Sequence, residues 1–219
     1  ITQVDYALGR IFGCLRENDL FKNTWVIFTA DHGEMLGDHH MSQKNLFFEG
    51  SAHVPLLIMP PQGRSLPHNI SVEAPTDLVD IYPTILAMAG LSSPVSVSGK
   101  NLLEPVPMDR MFFGNSLNKN FCVMEEKVKL VYSAVGDHVL LFDLNTDPME
   151  QHNLAEDPAW QERKAKLWKL LLEHTAQYTP EALDKNGQFL TYEAPHFPGD
   201  VPGRWFGFHY HDYSVDTFH

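Results

Sequence analysis

Apolar residues recur at helical spacing at the start of the chain and then give way to a short unbroken apolar run. The first pattern predicts an amphipathic helix over residues 1–20 with one buried face, on which Cys14 also lies as a packing residue. The run at residues 24–30 predicts a central strand covered on both faces. A helix, a turn and a buried strand are typical of an α/β sheet, in which ligands bind beyond the carboxyl ends of strands. The apolar positions of the helix are Val4, Leu8, Ile11, Phe12 and Leu15.

The same alternation continues to about residue 90. Residues 54–59 predict a second buried strand, and Thr76 begins a helix that runs to residue 89, with Gly90 as its stop. Pro83 lies inside this helix and predicts a kink or an early break. The core face of the helix is expected to comprise Leu78, Val79, Ile81, Ile85, Leu86 and Met88.

Beyond residue 108 the pattern changes to short strands. Residues 91–108 predict a loop, and four strands follow at residues 111–113, 121–125, 127–134 and 138–143, with a hairpin turn at Val135-Gly136-Asp137. Asp157 and Pro158 begin a long helix that ends near Tyr178. We therefore expect an α/β part over residues 1–108, a small antiparallel sheet with a helix over 109–178, and an extended aromatic tail over 179–219.

Composition narrows the function classes. The chain has 219 residues, a formal net charge of −12 and a pI near 5.3, which argues against nucleic acid or an anionic membrane as the main partner. No apolar run approaches the roughly 20 residues of a membrane span. Because the chain starts at Ile1, inside a helical pattern, we expect it to begin mid-protein, so that any targeting signal lies upstream and the cellular location stays unknown.

The densest chemistry lies in residues 29–44, directly after the first predicted strand. A carboxylate beside an imidazole, as in Asp31-His32, suits a divalent cation, and Gly33 permits close approach of a backbone. Two adjacent ligands do not complete a site. Lys44 and His53 could hold a tetrahedral oxyanion and assist a leaving oxygen.

A surface turn of mixed charge is the favoured interpretation for His40 and an equal alternative for Glu34 and Asp38. It fits Asp31-His32-Gly33 poorly, because a charge directly after a buried strand is costly unless it is paired or bound to metal.

The run FTADHGEMLGDHHMSQKNLFFEGSAHVPLLI resembles the second signature region of the sulfatases, in the alkaline-phosphatase-like superfamily. Residues 77–84 and 141–154 resemble later segments of the same family, so the likeness extends from residue 1 to about residue 175. The resemblance implies the C-terminal part of an alkaline-phosphatase-like sandwich, followed by a small antiparallel-sheet subdomain with a long C-terminal helix.

The resemblance also implies roles for individual residues. Asp31 and His32 match the metal ligands of this half of the fold. Ca²⁺ is expected by analogy, while the imidazole leaves Mn²⁺ and Zn²⁺ open. Lys44 matches the lysine that contacts sulfate oxygens. His53 is a weaker candidate for substrate contact, with a structural hydrogen bond as its alternative, and His39 matches a recurrent histidine near the substrate pocket.

The nucleophile of the family is missing from this sequence. Sulfatases carry it in a Cys/Ser-x-Pro-x-Arg motif, converted to formylglycine, and neither Cys14 nor Cys122 is followed by such a pattern. The resemblance therefore implies an N-terminal portion of the same protein as partner, bearing the formylglycine that attacks sulfur. Alone, the chain is expected to be inactive and poorly stable.

Two further functional hypotheses are alternatives to a sulfatase. A phosphonate or phosphate ester hydrolase of the same superfamily would share Asp31 and His32, and a non-catalytic fragment would keep a relic site. In the tail, Arg204 could line the substrate pocket. The tail histidines could form a second metal site, although a docked aromatic tail with surface histidines is favoured. The resemblance implies a small sulfated substrate, with sugar, aryl and choline sulfates all open.

Overall fold

The computed structural model describes residues 1–41, 44, 47–64, 69–94 and 96–193. The chain divides into two compact units. The first unit comprises Ile1–Asp31, Val54–Glu73 and Leu78–Glu104. The second unit comprises His32–His53, Ala74–Asp77 and the chain from Pro105 onward. The domain boundaries expected at residues 108 and 178 stay predictions.

The helices and strands alternate at first and then change to a run of strands. In chain order they are α1 (Thr2–Glu17), β1 (Val26–Thr29), α2 (Glu49–Ala52), β2 (Leu56–Met59), α3 (Ile81–Met88), β3 (Phe112–Ser116), β4 (Asn120–Glu125), β5 (Val128–Ser133), β6 (His138–Asp143) and α4 (Gln161–Tyr178). Short 3₁₀ turns lie at Leu20–Lys22, Asp38–His40, Leu78–Asp80, Pro158–Trp160 and Pro180–Ala182.

The first helix forms as predicted, but its expected buried face is wrong. No residue of α1 is buried, Ile11 is 55% exposed, and Cys14 is exposed rather than packed. The strands β1 and β2 pair antiparallel, with Thr29 opposite Leu56, and they are only half covered. In the described part of the first unit this pair is the whole sheet, which is too small to cover α1 or both faces of its own strands.

The helix predicted from Thr76 starts later. It begins at Ile81, so Pro83 falls in its first turn, where a missing N–H costs nothing and no kink results. Gly90 ends it as predicted, with φ of 72° and the N–H of Leu91 donating to Leu86 O at 2.8 Å.

The core face expected for this helix is also wrong. Pro83 and Thr84 are buried, whereas Ile85 is 48% exposed. Hydrogen bonds of polar side chains explain this burial. The Asp80 carboxylate accepts from the Lys100 N–H at 2.7 Å, and Thr84 Oγ1 accepts from the Leu102 N–H at 2.9 Å. These bonds turn the polar side of α3 towards the chain at residues 100–102.

The second unit contains the predicted antiparallel meander, in the order β3-β4-β5-β6. The turn between β5 and β6 has φ of 76° at Gly136 and 54° at Asp137, as expected of a hairpin turn. The predicted turn between β4 and β5 also forms, and it places Glu126 and Lys127 at φ of 53° and 63° without a glycine.

The helix α4 covers one face of this sheet and closes the core. Asp157 caps the preceding 3₁₀ turn, accepting from the Ala159 N–H at 2.8 Å, as predicted. Leu167 and Leu171 of α4 pack into a buried cluster with the sheet, to which Phe189 also contributes. The described helices include none long and apolar enough to cross a membrane.

Candidate active site

The Asp-His-Gly turn is held against α2 by its backbone. The Gly33 N–H donates to Ser51 O at 2.7 Å, and the Glu34 N–H donates to Gly50 O at 2.9 Å. A Cβ at Gly33 would overlap the Gly50 carbonyl oxygen. The glycine is therefore required here because the chain at Gly50 approaches it closely.

The orientation of His32 is set by its own turn. Both Asp31 and His32 are exposed, and the His32 Nδ1 lies 2.8 Å from Gly33 O. A carbonyl oxygen only accepts, so Nδ1 carries the hydrogen and Nε2 carries the lone pair of the neutral ring. Histidines that bind metals typically donate their second ring N–H in this way.

This arrangement fits a divalent cation in donor chemistry but does not complete a site. A carboxylate and an imidazole nitrogen are both ligands for divalent metals. The described residues contain no group of three or more His, Cys, Asp or Glu side chains that could hold a metal ion. Further ligands would have to come from elsewhere, and the metal roles of Asp31 and His32 stay predictions.

His39 lies half-buried against an aromatic residue of the same unit. Its ring stacks on Phe48 with centroids 4.3 Å apart and planes at 23°, and its backbone has φ of 52°. Phe48 is only 3% exposed and contacts Phe142 of β6. The core of the second unit thus fixes the position of this histidine.

His53, at the end of α2, pairs with an acidic residue one helical turn earlier. Its Nδ1 lies 2.8 Å from Glu49 Oε2, while the side chain remains 76% exposed. A carboxylate also only accepts, so this nitrogen carries the hydrogen. The contact leaves Nε2 as the second ring nitrogen for a ligand.

A buried lysine beneath Glu49 was missed by the sequence analysis. The Lys129 ammonium lies 2.6 Å from Glu49 Oε1, 2.6 Å from Glu150 Oε1 and 2.7 Å from Phe47 O. Its side chain is 4% exposed, and that of Glu150 is 1% exposed. The available signal was a charged residue inside the apolar strand β5, since such a residue needs partners when buried.

Electrostatics keep the Lys129 ammonium charged. Burial alone would lower the pKa of Lys129, but the neighbouring Cys122, Glu150 and Glu49 raise that pKa above its ordinary value. Burial raises the pKa of Glu150, and Lys129 opposes that effect. Burial raises the pKa of the adjacent Cys122 thiol to about 12, so this cysteine is neutral at physiological pH and is not a nucleophile.

The remaining predicted residues are less connected. Lys44 is exposed, and Arg204 and the tail histidines lie outside the described residues. The structure thus joins His53 to Glu49 and His39 to Phe48 within the second unit. The roles of Asp31, His32, Lys44 and Arg204 stay predictions.

Comparison with known proteins identifies the family of this chain. The family model described as Sulfatase matches residues 1–91. Arylsulfatase K of Xenopus laevis is 34% identical over 174 residues, a match that covers 70% of this chain and 32% of the relative. The chain belongs to the sulfatase family.

Other members of the superfamily extend this picture. A sulfatase of Escherichia coli, YidJ, is 31% identical over 183 residues, covering 78% of this chain and 36% of the relative. The crystal structure of the phosphonate monoester hydrolase of Agrobacterium radiobacter is 33% identical with a TM-score of 0.64, covering 80% of this chain and 40% of that chain. These matches confirm the expected alkaline-phosphatase-like fold. This chain spans about a third of the length of the curated sulfatases it matches.

Proposed function

We propose that this chain supplies part of the active site of a sulfatase that hydrolyses small sulfate esters. The carrying observation is the Asp31-His32-Gly33 turn in a chain of the sulfatase family, with the Nδ1 of His32 tied to Gly33 O at 2.8 Å. His32 and its sequence neighbour Asp31 offer an imidazole nitrogen and a carboxylate, and both are ligands for a metal that polarises sulfate oxygens.

Family membership implies a divalent metal and a formylglycine. Asp31 and His32 would hold the metal, for which Ca²⁺ is our first choice and Mn²⁺ or Zn²⁺ the alternatives. When bound, the cation supplies Lewis acidity at the sulfate oxygens, and the formylglycine of the N-terminal portion supplies the nucleophile.

The side chains of this chain have separable tasks in the proposal. The Lys44 ammonium offsets negative charge on the transferring group, as a fixed cation does in an oxyanion site. His53 holds a proton for the leaving oxygen, with Glu49 accepting from its Nδ1. His39 and Arg204 are assigned to contact with the substrate.

The N-terminal portion of the same protein is the proposed partner. Exposed apolar side chains in the first unit support this, including Ile11 on α1 and Leu57 on β2, which are 55% and 58% exposed. We therefore expect the chain alone to be inactive and marginally stable. By family, the complete protein is expected in the periplasm, in a lysosome or outside the cell.

A second candidate function is hydrolysis of phosphonate or phosphate esters. It is favoured by the 33% identity to the phosphonate monoester hydrolase, which is similar to the 34% identity to arylsulfatase K of Xenopus laevis. A non-catalytic fragment is the third candidate.

The test is an intact-mass and activity measurement on the complete protein that contains these residues. We expect a formylglycine on the N-terminal portion and turnover of an aryl sulfate above that of the matched aryl phosphonate. A Lys44→Met variant should lose about 10²- to 10⁴-fold in kcat/KM, whereas Lys22→Met should not. Preference for the phosphonate would favour the second candidate, and absence of both activities with no bound metal would favour the third.

A further inference from the structure

The buried cluster beneath α2 has a connection that the proposed function does not use. Glu49 contacts two cationic or proton-bearing groups at once: its Oε1 lies 2.6 Å from Lys129 Nζ, and its Oε2 lies 2.8 Å from His53 Nδ1. The backbone N–H of Glu49 also donates to Glu150 Oε2 at 2.7 Å. One residue thereby links an exposed imidazole to a pair of buried charges.

We propose that Lys129 and Glu150, acting through Glu49, are positioning residues that fix the tautomer and orientation of the His53 imidazole. The part of this inference that concerns catalysis rests on the proposed function. The part that concerns the imidazole is independent of it.

The anchor is rigid because it belongs to the core of the second unit. Lys129 lies on β5, where every residue is buried, and its side chain is only 4% exposed. The Lys129 ammonium donates to Phe47 O at 2.7 Å and to Glu49 Oε1 at 2.6 Å, and Glu150 Oε1 lies 2.6 Å away as its ion-pair partner. Because these contacts hold the ammonium in place, Glu49 Oε1 has little freedom to move. Glu49 Oε2 is thereby oriented towards His53 Nδ1.

The chemistry requires a carboxylate at position 49. Both of its oxygens accept, one from the ammonium and the other from the imidazole. An amide at this position offers one acceptor and one donor. The carbonyl oxygen would stay with the charged Lys129, so the amide N–H would face His53 Nδ1 and favour the tautomer that carries its hydrogen on Nε2.

This reasoning predicts a rescue that a merely structural role would not produce. If Lys129 is also replaced by methionine, no ammonium holds the carbonyl oxygen of the introduced amide. That oxygen can then turn to His53 and accept from Nδ1–H, as the carboxylate does in the wild type. The double variant should therefore resemble the wild type in its tautomer more than the single variant does.

The experiment uses the complete protein with histidine-selective ¹⁵N labelling, at mildly alkaline pH, with the His53 signal assigned by its loss in His53→Gln. We expect the hydrogen on Nδ1 in the wild type, on Nε2 in Glu49→Gln, and again on Nδ1 in Glu49→Gln with Lys129→Met. The matched control is Lys166→Met, which removes a 2.6 Å ion pair with Glu125 elsewhere in the same unit and should leave the tautomer unchanged.

Kinetics separate this inference from the proposed function. In an active enzyme, Glu49→Gln should lower kcat by about 10- to 100-fold with a smaller change in KM, as loss of a partner that orients a ligand typically does. An inactive wild type would refute the proposed function, yet the tautomer measurement would still decide the positioning role.

Two results would overturn the inference. One is a folded Glu49→Gln variant with the tautomer of the wild type. The other is a folded double variant that is no closer to the wild type than the single one. Glu49→Gln is isosteric and keeps a bond to Lys129, so it decides the matter even where the double variant does not fold.

Discussion

The two units differ most in how far their apolar side chains are buried. In the second unit, Leu130, Leu141 and Leu167 are fully buried in one cluster under α4. In the first unit, no residue of α1 is buried, and no apolar side chain of β1 or β2 is buried either. The second unit has its own core, whereas the first has apolar faces that its described residues do not cover.

Secondary structure accounts for this difference. The second unit has four antiparallel strands with an 18-residue helix across them, which is enough to enclose a core. The described first unit has a two-stranded sheet, and such sheets are marginal without further cover. The site segment His32–His53 belongs to the second unit, so the proposed catalytic histidines rest on the better-packed part of the chain.

The largest expected effect contrasts one substitution in each unit. Leu167→Ala should lower the free energy of unfolding of this chain by about 2–5 kcal/mol, because it opens a cavity in a fully buried cluster. Ile11→Ala should change it by less than about 0.5 kcal/mol, since Ile11 is 55% exposed. Urea unfolding followed by circular dichroism measures both. Equal losses would mean that the first unit has a core of its own.

Alkaline pH should weaken the second unit through a buried thiol. The pKa of Cys122 is raised from 9.0 to about 12, so between these values the unfolded chain gives up a proton that the folded chain keeps. The contribution of Cys122 to the free energy of unfolding is therefore fully present below pH 9.0. Above pH 9.0 it falls by up to about 1.4 kcal/mol per pH unit. Lys129, with a raised pKa, adds to the loss above pH 10.5.

Denaturant unfolding at several alkaline pH values measures this slope. Cys122→Ala should flatten it between pH 9.0 and 10.0, because Tyr132, whose pKa is also raised by burial, adds to the loss only above pH 10.0. Cys14→Ala, at an exposed cysteine of the first unit, should leave the slope as in the wild type. An unchanged slope in Cys122→Ala would contradict the role of the buried thiol.

Replacing a glycine by alanine should change stability in opposite directions in the two units. Gly33→Ala should destabilise by about 1–3 kcal/mol, because the new Cβ would overlap the Gly50 carbonyl oxygen. Gly13→Ala should stabilise by about 0.5–1 kcal/mol, because Gly13 lies inside α1 with nothing within 4 Å of a new Cβ. Thermal unfolding of the two variants compares them. A shift of the same sign in both would break the contrast.

The smallest expected effect concerns the cap before α4. Asp157→Ala should cost about 1 kcal/mol, because the Ala159 N–H loses its acceptor. Glu156→Ala, at the adjacent position, should cost less, since its ion pair with Lys164 is 92% exposed at the carboxylate. Melting temperatures decide between them, and a larger loss for Glu156→Ala would refute the cap.

Local signals explain how much the sequence could predict. The Gly136-Asp137 turn, the Asp157 cap and the Gly90 stop depend on neighbouring residues, and each forms as expected. The burial of α1 and α3 could not be read in the same way, because periodicity identifies an apolar face but not whether another element covers it.

The candidate site shows the same limit. Asp31, His32, Lys44 and His53 stand in one stretch of sequence and could be selected from it. The contact of Lys129 with Glu49 and Glu150 joins residues far apart in sequence, so only the tertiary fold reveals it. A lysine within an apolar strand indicates that it needs partners when buried, but it does not identify those partners.

The metal content of the complete protein tests the central claim most directly. Elemental analysis by mass spectrometry should find one divalent cation per wild-type molecule. The Asp31→Ala variant should have lost this cation. Asp19→Ala, at an exposed aspartate of the same unit, should keep the cation. A folded Asp31→Ala variant with the full metal content of the wild type would contradict the assignment of the Asp31-His32 turn as the metal-binding part of a sulfatase site.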